Sequence, residues 1–103
     1  MYTSGFASST SLRQHHADHA ADFGTPSESQ YLKLADEFCG GPKSPGSVLE
    51  CVRKSGDLVR YSTQTEEFGV VSSQGFIRTY FKPVSAAHGF ASNLDYFNYN
   101  CER

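Results

Sequence analysis

The spacing of apolar positions changes once along this chain, near residue 46. Before that point the period is helical. Leu12, His16, His19, Ala20 and Phe23 recur three or four apart, and Gly24-Thr25-Pro26 ends the run. Ser11-Leu-Arg-Gln14 has the spacing of an N-terminal capping box, which predicts that this helix starts there. Ser27-Glu-Ser-Gln30 repeats the signal, and Tyr31, Leu34, Ala35 and Phe38 then fall at i, i+3, i+4 and i+7 until Gly40-Gly41-Pro42. Residues 1–10, MYTSGFASST, have no period and read as a frayed or docked arm.

After a loop from Pro42 to Gly46 the period becomes that of strands. Ser47–Lys54, Leu58–Thr63, Phe68–Ser72 and Phe76–Lys82 are candidate strands, and Ser55-Gly56-Asp57 is a tight turn between the first two. Connections this short favour an antiparallel meander. Ser92-Asn-Leu-Asp95 is placed to cap a short closing helix that contains Leu94 and Phe97. The expected fold is therefore α+β: two N-terminal helices packed on one face of a four-stranded antiparallel sheet, with a short C-terminal helix. Residues 11–103 form one domain, since 103 residues suffice for a single modest core. The uncovered sheet face is where a site is expected.

Composition alters this picture in three ways. Apolar residues make up only 38%, so eight Phe and six Tyr must supply much of the core. No apolar run approaches the ~20 residues needed to span a bilayer, and no signal-like start is present, so a soluble chain without its own export signal is expected. The net charge of -2 gives no global cationic field, but charge is uneven. Residues 51–83 hold Arg53, Lys54, Arg60, Arg78 and Lys82 against Asp57, Glu66 and Glu67, so a cationic patch would lie on the sheet. Cys39, Cys51 and Cys101 allow either one disulfide and one thiol or three thiols.

Three chemistries compete for the histidines. His15 and His19, four apart on one helical side, could share a zinc ion, but no spacing among Cys39, Cys51, Cys101 and His88 supplies the remaining ligands of a metal site. They could be solvated and idle. Or they could be acid–base catalysts, since imidazole titrates near pH 6.5. With Arg60, Lys82 and a hydroxyl such as Thr79 or Tyr80, they could cleave RNA through its own 2′-hydroxyl without a metal. The C-terminal aromatics Phe90, Tyr96, Phe97 and Tyr99 could stack on bases, although covering the sheet edge as packing residues is their plainer role. Phosphate-binding glycine loops and the common hydrolase and metalloprotease signatures are missing from the sequence.

One ordered set of motifs carries a resemblance. His15-x-x-x-His19 is followed by Phe23-Gly24, a helix with Tyr31, and Gly56-Asp57-Leu-Val-Arg60-Tyr61. Glu67-Phe68-Gly69-Val70, Gly75-x-Ile77-Arg78-Thr79-Tyr80-Phe81-Lys82-Pro83 and Asn93-Leu94-Asp95-Tyr96-Phe97 complete it. Over about residues 12–97 the chain resembles the C-terminal toxin domains of bacterial polymorphic and contact-dependent inhibition systems, including pyocin large-subunit-like domains. These are similar to the superfamily that groups barnase, EndoU, the tRNA-cleaving colicins and RelE.

The resemblance implies a metal-independent endoribonuclease without a cofactor, often directed at tRNA, delivered as part of a larger effector and active in the target-cell cytoplasm. It implies a cognate immunity protein as partner and otherwise a monomer. It also implies that His15, His19, Arg60, Thr79 and Lys82 are catalytic and that Arg78, Tyr80 and Tyr96 touch the substrate. One departure is Asp18-His19-Ala20 where relatives often have Lys-His-Gly, which weakens phosphate attraction there. Strand alternation sets Ile77, Thr79 and Phe81 on one face and Phe76, Arg78, Tyr80 and Lys82 on the other. A site shared by Thr79, Arg78 and Lys82 therefore requires a bulge or strong twist. The rival expectations are a non-catalytic protein- or nucleic-acid-binding module and a zinc-stabilised domain.

Overall fold

Local caps start the three main helices in a computed structural model that describes residues 1–103. α1 (Ser9–His19) begins earlier than its sequence suggests, because the Ser8 hydroxyl, not that of Ser11, accepts the first free N–H, that of Ser11. A 3₁₀ turn (Ala20–Phe23) continues it and closes on Gly24 at φ 79°, a conformation that favours glycine. α2 (Glu28–Gly40) carries the complete capping box, with Ser27 Oγ accepting from Gln30 N–H and Gln30 Oε1 accepting from Ser27 N–H.

Strands β1 (Val48–Val52), β2 (Leu58–Ser62), β3 (Phe68–Val71) and β4 (Ile77–Phe81) form one antiparallel sheet in sequence order. The α+β architecture and the meander are as expected. A one-turn helix α3 (Ser85–His88) follows, and Ser92 caps α4 (Asn93–Glu102) by accepting from Asp95 N–H.

The sheet is covered on both faces, which corrects the expectation of helices on one side only. α2 lies on one face, where its Tyr31, Ala35 and Cys39 pack with Val71, Ile77 and Tyr80 of the sheet. α4 lies on the other, where Phe97 packs among Val59, Tyr61, Phe68 and Val70. A disulfide between Cys51 of β1 and Cys101 of α4 holds that second layer down, while Cys39 is a free, buried thiol. The close approach of α2 requires Gly69, where any Cβ would overlap the Cys39 sulfur.

The arm before α1 is docked. Asp36 accepts from the backbone N–H groups of Tyr2 and Thr3 and from the Thr3 hydroxyl. Burial pushes its carboxyl up, but these hydrogen bonds outweigh it and hold Asp36 below the usual carboxylate range. Ser4 N–H donates to Gly75 O and Ile77 N–H to Gly5 O, so the arm pairs with the free edge of β4 and buries Phe6. α1 continues along the same edge, beside β4 and α2.

Candidate functional site

The geometry of the site turns on one extra residue in β4. Val71 pairs with Ile77 and Val70 with Thr79, so Arg78 is left over as a bulge. The bulge resets the alternation. Ile77 and Tyr80, three apart, both enter the α2 layer, whereas Thr79 and Phe81 pair with Val70 and Phe68 of the α4 layer. The sequence-based facing, with Ile77 beside Thr79 and Tyr80 beside Arg78, is corrected accordingly.

Arg78 extends over the β1–β2 turn, where its Nε donates to Asp57 Oδ1 at 2.9 Å. Asp57 also pairs with Arg53, which donates to Asn100 of α4, so Arg78 and Thr79 lie on the same side of the sheet. Burial raises the Asp57 carboxyl, and the hydrogen bonds from Arg78 and Arg53 lower it further than burial lifts it. The rest of the Arg78 guanidinium reaches solvent, with the side chain 58% exposed.

Of the three α1 histidines, His15 lies against Phe6 of the docked arm and His19 against Phe81 of β4, whereas His16 faces Tyr31 and the Pro26 carbonyl. His15 Nδ1 lies 2.9 Å from Ser11 O. A carbonyl only accepts, so Nδ1 bears a proton and is engaged within α1, leaving Nε2 as the nitrogen not bonded to the helix. His19 is held by stacking, with its ring centroid 4.9 Å from that of Phe81 at 25° and 6.0 Å from that of His15. Burial and then the neighbouring His15 lower its pKa below 6.5, with Asp22 and Asp18 only partly opposing them, so His19 is neutral and basic at pH 7. Thr79, two residues before Phe81 on the same face, is about 6.7 Å back along the strand. The junction of α1 and β4, the candidate groove, carries His15 and His19 on the helix and Thr79 and Arg78 on the strand, with the Arg78 guanidinium turned towards Asp57.

Tyr96 of α4 extends the aromatic surface past Phe81, in an edge contact at 6.5 Å between centroids, and its ring stacks on His88 at 4.5 Å. His88 is itself fixed, with Nε2 at 2.8 Å from Asn93 Oδ1 and Nδ1 accepting from Phe90 N–H. Asn93 in turn donates to Glu66, which also accepts from the Tyr61 hydroxyl.

Three of the expected site residues lie elsewhere. Arg60 is on the α2 face with its side chain 12% exposed, and its guanidinium is committed to Glu50 (2.7 Å) and to the carbonyls of Phe38 (3.1 Å) and Gly41 (2.6 Å). It ties off the C-terminal end of α2 and does not face the groove. Tyr80 is 0% exposed, stacked on Phe23 and donating its hydroxyl to Glu67, so its ring belongs to the core. Lys82 alternates to the same side as Tyr80, with its ammonium 5.5 Å from the Phe23 ring centroid and its backbone N–H on Asp22.

Two contributors escaped the sequence reading. Phe81 is the platform for His19. Ser11 anchors His15, and the run Ser11, His15, His19 at i, i+4, i+8 was the available signal. No three His, Cys, Asp or Glu side chains converge as metal ligands, and two of the three thiols are joined in the disulfide. No helix is long and apolar enough to cross a membrane. No protein-family model matches the chain, and no curated protein is similar enough to it to count as a relative.

Proposed function

We propose that the chain is a metal-independent endoribonuclease domain that cleaves RNA, with tRNA as the first substrate to test. The observation that carries this reading is the pair of imidazoles, with ring centroids 6.0 Å apart, on a helix that runs beside the strand bearing Thr79 and Arg78. Neutral His19 takes the proton from a ribose 2′-hydroxyl, and the resulting oxygen attacks the adjacent phosphorus. Charge growing on the non-bridging oxygens is met by Arg78 and the Thr79 hydroxyl. His15, in its protonated form, gives the Nε2 proton to the departing 5′-oxygen. The products are a 2′,3′-cyclic phosphate and a 5′-hydroxyl, with no water consumed in this step.

The same reading makes the chain a toxin domain that acts in the cytoplasm of a target cell, with a cognate immunity protein as its inhibitor. The support for that part is the motif resemblance alone.

Incubating the purified domain with tRNA in EDTA and sequencing the ends tests the proposal. Discrete cuts bearing cyclic phosphate are expected, with a loss of at least ~100-fold in rate for His19→Ala and for His15→Ala. Full activity in both variants, with unchanged thermal melts, overturns the histidine assignment. A non-catalytic RNA-binding module is the second reading. It is favoured by the guanidinium groups of Arg60 and Arg78 being paired with Glu50 and Asp57, which reduces the free positive charge near the histidines. It predicts saturable RNA binding with no products.

A further inference from the structure

At the head of the groove, beside the β3–β4 turn, lies an open recess of about 280 Å³ lined by Ser11, Ser72, Gln74, Phe76 and Arg78 among others. Its walls are set before any ligand arrives. Ser72 and Phe76 exchange backbone and side-chain hydrogen bonds across the turn, Gly75 N–H donates to Ser72 O, and the docked arm donates from Ser4 N–H to Gly75 O. We propose that this recess is a nucleobase subsite that holds the base next to the phosphate being cut, an inference that rests on the ribonuclease reading.

Three features select a base. The first is size, since 280 Å³ lies just under the roughly 300 Å³ at which small-molecule sites begin, the scale of one base with part of its sugar. The second is surface. Phe76 is partly exposed and stacks on no other ring of the chain, so its face is free for a base. The exposed Gln74 amide offers two donors and an acceptor, the pattern that reads a base edge. Ser72 Oγ accepts from Phe76 N–H at 3.1 Å and keeps its own hydrogen to donate. The third is connection to the chemistry. Ser11 lines the recess and also supplies the carbonyl that holds His15, and Arg78 lines it one residue before Thr79. A base on Phe76 therefore sets its phosphate against the free end of the Arg78 guanidinium.

The test is a titration of ¹⁵N-labelled protein with each of the four nucleoside 5′-monophosphates and, separately, inorganic phosphate. Saturable shifts at Ser11 and Gln74–Arg78, strongest for one or two bases and weakened at least ~5-fold by Phe76→Ala, are expected. Gln74→Ala, in an exposed turn where folding is not at stake, is expected to flatten the preference among bases. Shifts absent from these residues, or equal for all bases and phosphate, overturn the subsite. This readout needs no cleavage. A chain that binds the mononucleotides here but never cuts RNA overturns the ribonuclease reading, whereas a chain that cuts RNA without these shifts overturns the subsite.

Discussion

His19 earns its place by being uncharged. Burial, and then the neighbouring His15, disfavour its imidazolium, so the folded chain releases this proton more readily than the unfolded one. The sign follows. Well above pH 6.5 the ring is neutral in both states and contributes no pH dependence. As the pH falls from 6.5 towards the lowered native value, the unfolded state takes up the proton first and stability drops. Urea unfolding at pH 7.5 and 5.5 checks this: the wild type is expected to lose stability on acidification by more than His19→Phe, which keeps a ring against Phe81 but does not titrate. Equal losses contradict the assignment. Asp36 and Asp57, both held below the usual carboxylate range, act only below about pH 4 and do not enter this window.

Among the elements, α2 and β4 determine which expected site residues reach the groove. Arg60 satisfies the carbonyls of Phe38 and Gly41, which an α-helix end leaves without partners. Arg60→Ala is therefore expected to cost about 1–3 kcal/mol of stability while RNA cleavage per folded molecule stays near wild type. Denaturant melts alongside the tRNA assay separate the two, and a cleavage defect without a stability loss returns Arg60 to the site. The bulge at Arg78 has the opposite effect on β4. By inserting one residue it turns Thr79 and Arg78 to the same side and leaves Tyr80 as core. Regular alternation, read from the sequence, separates Thr79 from Arg78; the bulge joins them.

At the scale of the molecule, the Cys51–Cys101 disulfide closes the second layer of the sandwich by joining an edge strand to the last helix across 50 residues of chain. Closing a loop of that length removes unfolded-state freedom worth up to about 4 kcal/mol. Cys51→Ser with Cys101→Ser, or reduction in the folded state, is expected to lower the unfolding free energy by about 2–4 kcal/mol and to loosen α4 from Val59, Tyr61 and Phe68. Urea midpoints with and without reductant measure this, and coincident midpoints refute it. Cys39 is expected to stay unreactive to thiol reagents until unfolding, because burial pushes its thiol up to about 12.

Helix ends, strand order and the α+β class were legible because their signals are local. Ser27 and Gln30 are three residues apart, Ser92 caps its own helix, and turns such as Ser55-Gly56-Asp57 leave consecutive strands no partner but each other. The histidine pair was legible for the same reason, being one helical turn long. What the tertiary structure alone decided are relations between residues far apart in the chain. Which cysteines pair, that Arg60 serves α2, that α4 covers the far face, and that the arm docks on β4 each depend on contacts across 19 to 72 residues of chain. The bulge belongs with them, because whether Phe76–Lys82 stays regular is set by packing against β3 and α2. Local sequence specifies a residue's place in its element, but only the packed layers specify which face of the molecule that residue serves.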